Sequence, residues 1–219
     1  AQTEKLTDYV NPFVGTDGYG NVYPGAQIPF GGIQISPDTD SRFYDAASGY
    51  KYNHLTLMGF SLTHLSGTGI PDLGDFLFIP GTGEMKLEPG THEDPDQGYR
   101  SRYSHDKEWA SPNYYAVELA DYGVKAEMTS GVRSGMFRFT YPESDNAFIM
   151  IDMNHTLWQS CEWSNLRMIN DSTITGYKLV KGWGPERHVY FTATFSKKLT
   201  GLRFVQDKKP VIYNTSRFR

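Results

Sequence analysis

The chain has 219 residues, a formal net charge of -4, and aromatic side chains at 15% of its positions. An acidic balance without a long basic run excludes the electrostatic attraction that nucleic acids and anionic membranes require. No apolar run approaches the roughly 20 residues of a membrane-spanning helix. The single cysteine, Cys161, excludes an internal disulfide framework and a cysteine zinc cluster. With 22 glycines and 12 prolines, the composition favours one all-β domain over residues 1–219, with many short strands and turns.

The first segment with a structural signal follows a lead-in over residues 1–10. Three glycines and a proline between Asp17 and Ala26 predict a loop that is held close to another part of the molecule. The apolar residues between Ile28 and Ile35, around the pair Gly31–Gly32, predict a strand with a bulge. The polar residues 36–41 then predict a turn.

The segment from Gly59 to Pro80 begins and ends as a strand, and its middle is polar and interrupted by glycines. This middle part carries one imidazole, three hydroxyls and two carboxylates, on residues His64, Thr63, Ser66, Thr68, Asp72 and Asp75. Such a mixture suits a polyhydroxylated ligand better than a phosphate or a nucleic acid. We expect replacement of Gly67 or Gly69 to disturb the shape of this loop.

Period-two alternation becomes stronger after residue 99. Tyr115, Val117 and Leu119 alternate with polar or small residues, and a turn over residues 121–123 leads into a second alternating run. This pattern predicts a β-hairpin. Further alternating runs follow over residues 137–141 and 189–195, whereas no segment has a helical period longer than two turns. The sequence therefore predicts a large antiparallel β-sandwich.

Several motifs in combination are more specific than any one of them. They are Val10-Asn11-Pro12-Phe13-Val14-Gly15-Thr16, Tyr23-Pro24-Gly25-Ala26, Ser36-Pro37-Asp38-Thr39, the run from Gly59 through Thr63-His64-Leu65-Ser66-Gly67-Thr68-Gly69 to Asp75, and Arg138-Phe139-Thr140-Tyr141-Pro142. Together they resemble the N-terminal region of glycoside hydrolase family 92, over nearly the whole chain. The resemblance implies a β-sandwich of the supersandwich type.

The resemblance also implies a function. Members of the family are calcium-dependent, inverting exo-α-mannosidases, usually exported to the periplasm or cell surface of bacteria that degrade mannans or N-glycans. The general acid, the general base and most Ca²⁺ ligands of the family belong to a following (α/α)6-barrel domain. We therefore expect no catalytic residue and no bound metal in these 219 residues, and residues from about 207 onward begin the connection to that barrel. The expected partners are the barrel of the same polypeptide and an α-mannoside glycan, and the 219 residues alone are expected to be inactive.

The active site of the family lies between the two domains, and loops of the sandwich close over the terminal mannose. The residues that the resemblance assigns to substrate binding are Asp17, Asn21, Tyr23, His64, Gly67, Gly69 and Asp72. Gly69 stands where family members with a preference for the α-1,2 linkage have a tryptophan. That preference is therefore not carried over to this chain.

Each of these roles has a structural alternative. Tyr23 stacks on a sugar ring or packs in the domain interface, and His64 bonds a mannose hydroxyl or a backbone carbonyl. The pair Asp72 and Asp75 is more typical of carboxylates that accept hydrogen bonds from loop amides than of catalytic groups. Three tryptophans, at positions 158, 163 and 183, form either a sugar platform or part of a core.

Two alternatives concern the whole chain. The first is a stand-alone carbohydrate-binding or interaction module, which the abundant aromatic residues favour. The second concerns the surface of the domain that the barrel would cover. We expect this surface to be a contiguous apolar patch, rimmed by the loops over residues 17–26 and 63–75. This face is either exposed or buried in a homodimer.

Overall fold

Many of the strands form where more buried and more exposed side chains alternate along the chain. In the computed structural model, which describes residues 4–41, 44–211 and 215–218, nearly all regular structure is β. The strands are β1 (Ser36–Asp38), β2 (Thr56–Leu57), β3 (Gly59–Ser61), β4 (Leu77–Thr82), β5 (Ser101–Arg102), β6 (Glu108–Ser111), β7 (Tyr114–Leu119), β8 (Val124–Ser130), β9 (Gly135–Thr140), β10 (Ala147–Asp152), β11 (Ser160–Asn170), β12 (Thr173–Lys181), β13 (Arg187–Thr194), β14 (Phe204–Gln206), β15 (Lys209–Val211) and β16 (Thr215–Phe218). The 3₁₀ helices are Leu6–Tyr9, Tyr44–Ala46, Pro95–Gln97 and His105–Lys107.

The strands of the described residues pair in antiparallel sheets. Three sheets have four strands each, in the orders β1-β3-β4-β10, β6-β7-β8-β9 and β13-β12-β11-β16. Two further pairs, β2 with β5 and β14 with β15, are short. The predicted all-β antiparallel sandwich is therefore confirmed. No helix in the described part of the chain is long and apolar enough to span a membrane.

The described part of the chain has three hydrophobic clusters, and two of them connect the sheet of β3 and β4 to the other four-stranded sheets. In one cluster, Phe60 of β3 packs with Val117, Ala126 and Met128 from the sheet β6-β7-β8-β9. In the other, Phe78 of β4 packs with apolar side chains of β11 and β12, which are Leu166 and Ile174. The sheet that contains β3 and β4 therefore supplies side chains to both clusters, and the loop between these two strands is fixed at both ends.

The predicted hairpin is present. Strands β7 and β8 are joined by residues 120–123, and Tyr115 pairs with Met128 while Leu119 pairs with Val124. Strands β9 and β13 also match the predicted alternating runs. The period-two pattern predicted these strands correctly because each has one face on the core.

The prediction was wrong between residues 28 and 41. No strand forms over residues 28–35, because Phe30 has a φ of 59° and is fully exposed, and Gly31 closes a turn onto the carbonyl of Ile28. Residues 36–41, which were predicted to form a turn, contain strand β1. This strand pairs with β3 and is buried. Pro37 is tolerated there because β1 is an edge strand. The polar character of β1 concealed it from the hydrophobic pattern.

The extent of the domain stays a prediction, as do the lead-in and the connection from about residue 207. Among the described residues of that last region, β15 pairs with β14 and β16 pairs with β11. Residues 1–3, 42–43, 212–214 and 219 lie outside the described residues.

Candidate functional site

The loop between β3 and β4 is closed at its base by backbone hydrogen bonds. The N–H of Leu62 donates to the carbonyl of Asp75 at 2.9 Å, and the N–H of Gly74 donates to the carbonyl of Thr63 at 2.8 Å. His64 and Leu73 continue this pairing as an isolated bridge. Residues 65–70 are left at the tip, mostly exposed to solvent. We call residues 62–76 the β3–β4 loop.

The predicted loop over residues 17–26 lies against the β3–β4 loop. The N–H of Gly67 donates to the carbonyl of Asn21 at 2.7 Å, and the ring of Tyr23 has its centroid 5.1 Å from that of His64. The structure therefore brings together residues of the two predicted substrate loops, at the tip and also beneath it.

The seven predicted substrate-binding residues divide by exposure. Three are exposed, one is partly exposed and three are buried; in that order they are Asp17, Gly67 and Gly69, then Asn21, then Tyr23, His64 and Asp72. Sugar contact stays a prediction for all of them. A sugar can reach the four exposed or partly exposed residues without any change in the domain.

Tyr23 belongs to the core of this domain. Its side chain is buried in the cluster around Phe60, and its hydroxyl donates to the side-chain oxygen of Gln27. Burial raises the pKa of the Tyr23 hydroxyl well above its usual value, so the phenol stays protonated. The sugar-stacking and interface roles of Tyr23 stay predictions, and in this domain its ring lies in the core.

Gly67 and Gly69 differ from each other. Gly67 has a φ of 74°, a left-handed conformation that favours glycine, whereas Gly69 has no such φ and a Cβ there would meet no atom within 4 Å. The expectation that replacement of Gly69 disturbs the loop was therefore wrong. The expectation for Gly67 agrees with its backbone conformation.

Asp72 accepts hydrogen bonds from loop amides, as its position in the loop suggested. The N–H groups of Leu73 and Trp183 donate to its two carboxylate oxygens at 2.6 and 3.1 Å, and Nη2 of Arg187 lies 3.8 Å from Oδ1. The carboxylate thus ties the β3–β4 loop to the turn between β12 and β13.

Asp75 forms a buried ion-pair cluster. Nζ of Lys178 lies 3.1 Å from its Oδ1, Arg187 donates to its Oδ2, and the hydroxyl of Thr63 donates to Oδ2 at 2.7 Å. Burial alone would raise the pKa of Asp75, but the two cations outweigh burial and lower the pKa. Burial also lowers the pKa of Lys178, and Asp75 offsets part of that effect.

A second buried carboxylate lies under the same loop. Oδ1 of Asp38 is 2.7 Å from Nε2 of His64, and its Oδ2 is 2.7 Å from Nε2 of His155. Nδ1 of His64 is 2.7 Å from the carbonyl of Gln34. His64 can therefore donate from both ring nitrogens, the geometry of an imidazolium on a carboxylate. Although burial opposes ionisation, the two imidazoles hold the pKa of Asp38 well below its usual value.

The two carboxylate clusters are connected. Nζ of Lys178 donates to the carbonyl of His155 at 2.6 Å. Sequence reasoning missed Asp38, His155 and Lys178 as parts of one network. One signal was available: Lys178 occupies an inward-facing position of β12, between the buried residues Gly176 and Val180.

This arrangement holds a loop and does not offer a general acid. The general acid of a glycoside hydrolase requires a carboxyl group with a raised pKa. The pKa values of Asp38 and Asp75 are lowered, and both carboxylates are engaged by cationic or imidazole groups. Among the described residues no group of three or more His, Cys, Asp or Glu side chains is arranged to hold a metal ion.

Four non-glycine residues with left-handed backbone conformations lie in or beside these loops. Asn21, Leu73, Phe76 and Trp158 have φ values of 50°, 73°, 58° and 72°. Such conformations are unfavourable for bulky side chains and concentrate at functional sites. The fold and these loops define a β-sandwich domain that presents shaped loops at one site.

Comparison with known proteins extends this description. The family model for the "Glycosyl hydrolase family 92 N-terminal domain" matches residues 9–217. The chain belongs to this family, as its N-terminal domain.

Three individual proteins that are similar to this chain support the family assignment. An uncharacterized secreted glycosidase of Arthroderma benhamiae is 30% identical over 139 residues, which are 63% of this chain and 17% of the relative. The solved structure of CcMan5, a family 92 glycosyl hydrolase, is 27% identical with a TM-score of 0.81, over 97% of this chain and 29% of that one. An inverting mannosidase of the same family from Bacteroides thetaiotaomicron shares the fold, with 23% identity and a TM-score of 0.78, over 99% of this chain and 29% of its own. The chain thus spans less than a third of these relatives.

Proposed function

We propose that this domain supplies sugar subsites to an inverting exo-α-mannosidase that acts on mannans or N-glycans. The observation that carries the proposal is the contact between the two predicted substrate loops, where the N–H of Gly67 donates to the carbonyl of Asn21 at 2.7 Å. Family membership over residues 9–217 supports a glycan substrate and a following catalytic domain.

In this proposal the two domains have different roles, sugar binding in this domain and catalysis in the following one. Asn21, Gly67 and their exposed neighbours contact the terminal mannose and the adjacent sugar, while the buried clusters around Asp38 and Asp75 hold the loops in place. Exposed apolar side chains at the loop tips, Tyr19 and Ile70, support a domain interface there. A general acid and a general base roughly 6.5–9.5 Å apart, as inversion requires, would come from the following domain.

Calcium belongs to the following domain in this proposal. The described residues do not fit a calcium site, because the oxygens of the buried carboxylates are already bound by side chains of the domain itself. No step of the proposed function passes through the ion in this chain. The secreted relative supports export, to a bacterial periplasm or cell surface in our proposal.

The first test is an assay of mannose release from α-mannobiose by the 219-residue chain, with added Ca²⁺ and with EDTA. We expect no release in either case. Calcium-dependent release by this chain would show that the acid and base are within it. A homodimer through the loop face, detected by sedimentation, would contradict the assignment of that face to a following domain.

The second test uses the polypeptide that carries this domain together with the catalytic domain. Asn21→Gly removes the side chain while keeping the left-handed conformation, and we expect kcat/KM for α-mannobiose to fall about tenfold. Asn113→Gly is the matched control, because Asn113 is also an asparagine with a left-handed φ, of 60°, and lies in the turn between β6 and β7. Equal activities of the two variants would contradict the proposed contact.

A further inference from the structure

Two exposed tryptophans are attached to the same short segment of the β3–β4 loop. Trp158 is 54% exposed and Trp183 is 58% exposed. The N–H of Trp183 donates to the carboxylate of Asp72 at 3.1 Å. A Cβ on the preceding residue, Gly182, would come within 2.9 Å of that carboxylate, so the turn lies directly on the loop.

Trp158 is anchored to this segment through both of its neighbours. The N–H of Leu157 donates to the carbonyl of Leu73 at 3.0 Å, and the side-chain amide of Gln159 donates to the carbonyl of Pro71 at 2.6 Å. The two indoles therefore project from backbone that is bonded to three consecutive loop residues.

The backbone of Trp158 has a left-handed conformation, and its ring is exposed. Its φ of 72° is an outlier for a bulky residue, and such strain persists where the surrounding structure enforces it. The ring contacts Tyr44, which is 56% exposed, with centroids 5.2 Å apart. We call Tyr44, Trp158 and Trp183 the aromatic rim.

The rim combines large apolar faces with polar neighbours. The Asp72 carboxylate and the Gln159 amide lie between the anchoring points of the two indoles. A pyranose ring offers the complementary surface, an apolar C–H face and a polar edge, and small-molecule sites of this kind combine aromatic side chains with a few polar groups.

We propose that the aromatic rim binds pyranose units of an α-mannoside glycan, beyond the sugars contacted by the loops over residues 17–26 and 63–75. This proposal rests on the proposed function for the class of its ligand. It does not require the catalytic domain, because the rim is exposed in the 219-residue chain.

The test uses the chain labelled with 5-fluorotryptophan and titrated with α-mannotetraose, followed by ¹⁹F NMR. The chain has four tryptophans, which give four signals that single Trp→Phe variants assign. We expect the signals of Trp158 and Trp183 to shift with sugar concentration. Trp109 is the internal control, because it is 45% exposed but lies on β6, in another sheet.

Calorimetric titration of variants completes the test. Trp158→Ala and Trp183→Ala should each weaken binding of α-mannotetraose about tenfold, and Trp109→Ala should leave the affinity unchanged. Circular dichroism verifies that each variant is folded. Unchanged affinity in the first two variants would overturn the proposal, as would signals that move with protein concentration in the absence of sugar, since a second copy would then occupy the rim.

The rim proposal and the proposed function can be overturned independently of each other. If the 219-residue chain binds no α-mannotetraose, the rim proposal is overturned, while the proposed loop subsites, which require the following domain, are unaffected. If the chain releases mannose by itself, the proposed function is overturned, while the rim proposal is unaffected.

Discussion

Nζ of Lys178 lies 3.1 Å from Oδ1 of Asp75, and both side chains are fully buried. Lys178 belongs to an inward-facing row of β12, and Asp75 stands at the end of the β3–β4 loop. This ion pair therefore fixes the loop to the third sheet. If Lys178 is lost, Asp75 keeps Arg187 as its remaining cationic partner, but the buried carbonyl of His155 loses its donor.

Lys178→Met tests this attachment. The substitution is expected to lower the free energy of unfolding by about 1–3 kcal/mol, because the carbonyl of His155 loses its donor while Arg187 still pairs with Asp75. Urea unfolding followed by circular dichroism measures the change. Lys181→Met is the control, because the pair of Lys181 with Glu162 is exposed and should have little effect. Equal losses in the two variants would contradict the interpretation.

Acid should destabilise the domain through Asp38. The pKa of Asp38 is lowered in the folded state, so below the unfolded value of about 4 the unfolded chain binds more protons than the folded chain. Stability is therefore fully present above that pH and is lost progressively as the pH falls from it toward the lower pKa of the folded state. One such group contributes a slope of up to about 1.4 kcal/mol per pH unit.

Asp38→Asn should be less stable than wild type at pH 7 and should have a shallower slope between pH 5 and pH 3. Urea midpoints at a series of pH values measure both quantities. Parallel pH profiles for the variant and wild type would contradict a role for this carboxylate in acid unfolding.

Gly74→Ala should destabilise the loop far more than Gly69→Ala. Gly74 has a φ of 74°, and a Cβ there would come within 2.6 Å of Cγ of Leu157 and 2.8 Å of its backbone nitrogen. The left-handed conformation alone costs about 1–2 kcal/mol for alanine. Thermal unfolding compares the variants, and a similar shift in Tm for both would show that the loop tolerates the extra methyl group.

Trp158→Gly and Trp158→Ala separate the backbone strain from the contribution of the ring. Both variants lose the indole, but only alanine retains the unfavourable left-handed conformation. We therefore expect the glycine variant to be more stable by about 1–2 kcal/mol, the reverse of the usual order. Urea unfolding of the pair decides the question, and greater stability of the alanine variant would show that the conformation is not strained.

The alternation of side chains was sufficient for the strands with one face on the core. Tyr115, Val117 and Leu119 alternate because β7 has one buried face, so the sequence predicted β7 and β8 with their turn. The same reasoning failed for β1, because Ser36–Asp38 is polar yet buried. The carboxylate of Asp38 is paired with His64 and His155, which are distant in the chain, and no local pattern contains such partners.

The sequence by itself determined the class of fold, the family resemblance and the position of the loop between β3 and β4. Only the tertiary structure decided what lies beneath that loop. Asp38 meets His155 across 117 positions of sequence, because two loops and an edge strand converge there. A period-two pattern states which face a residue occupies but not which side chain it meets, since that depends on how the sheets pack. The exposure of Trp158 was equally hidden, because it depends on bonds from its neighbours to Leu73 and Pro71.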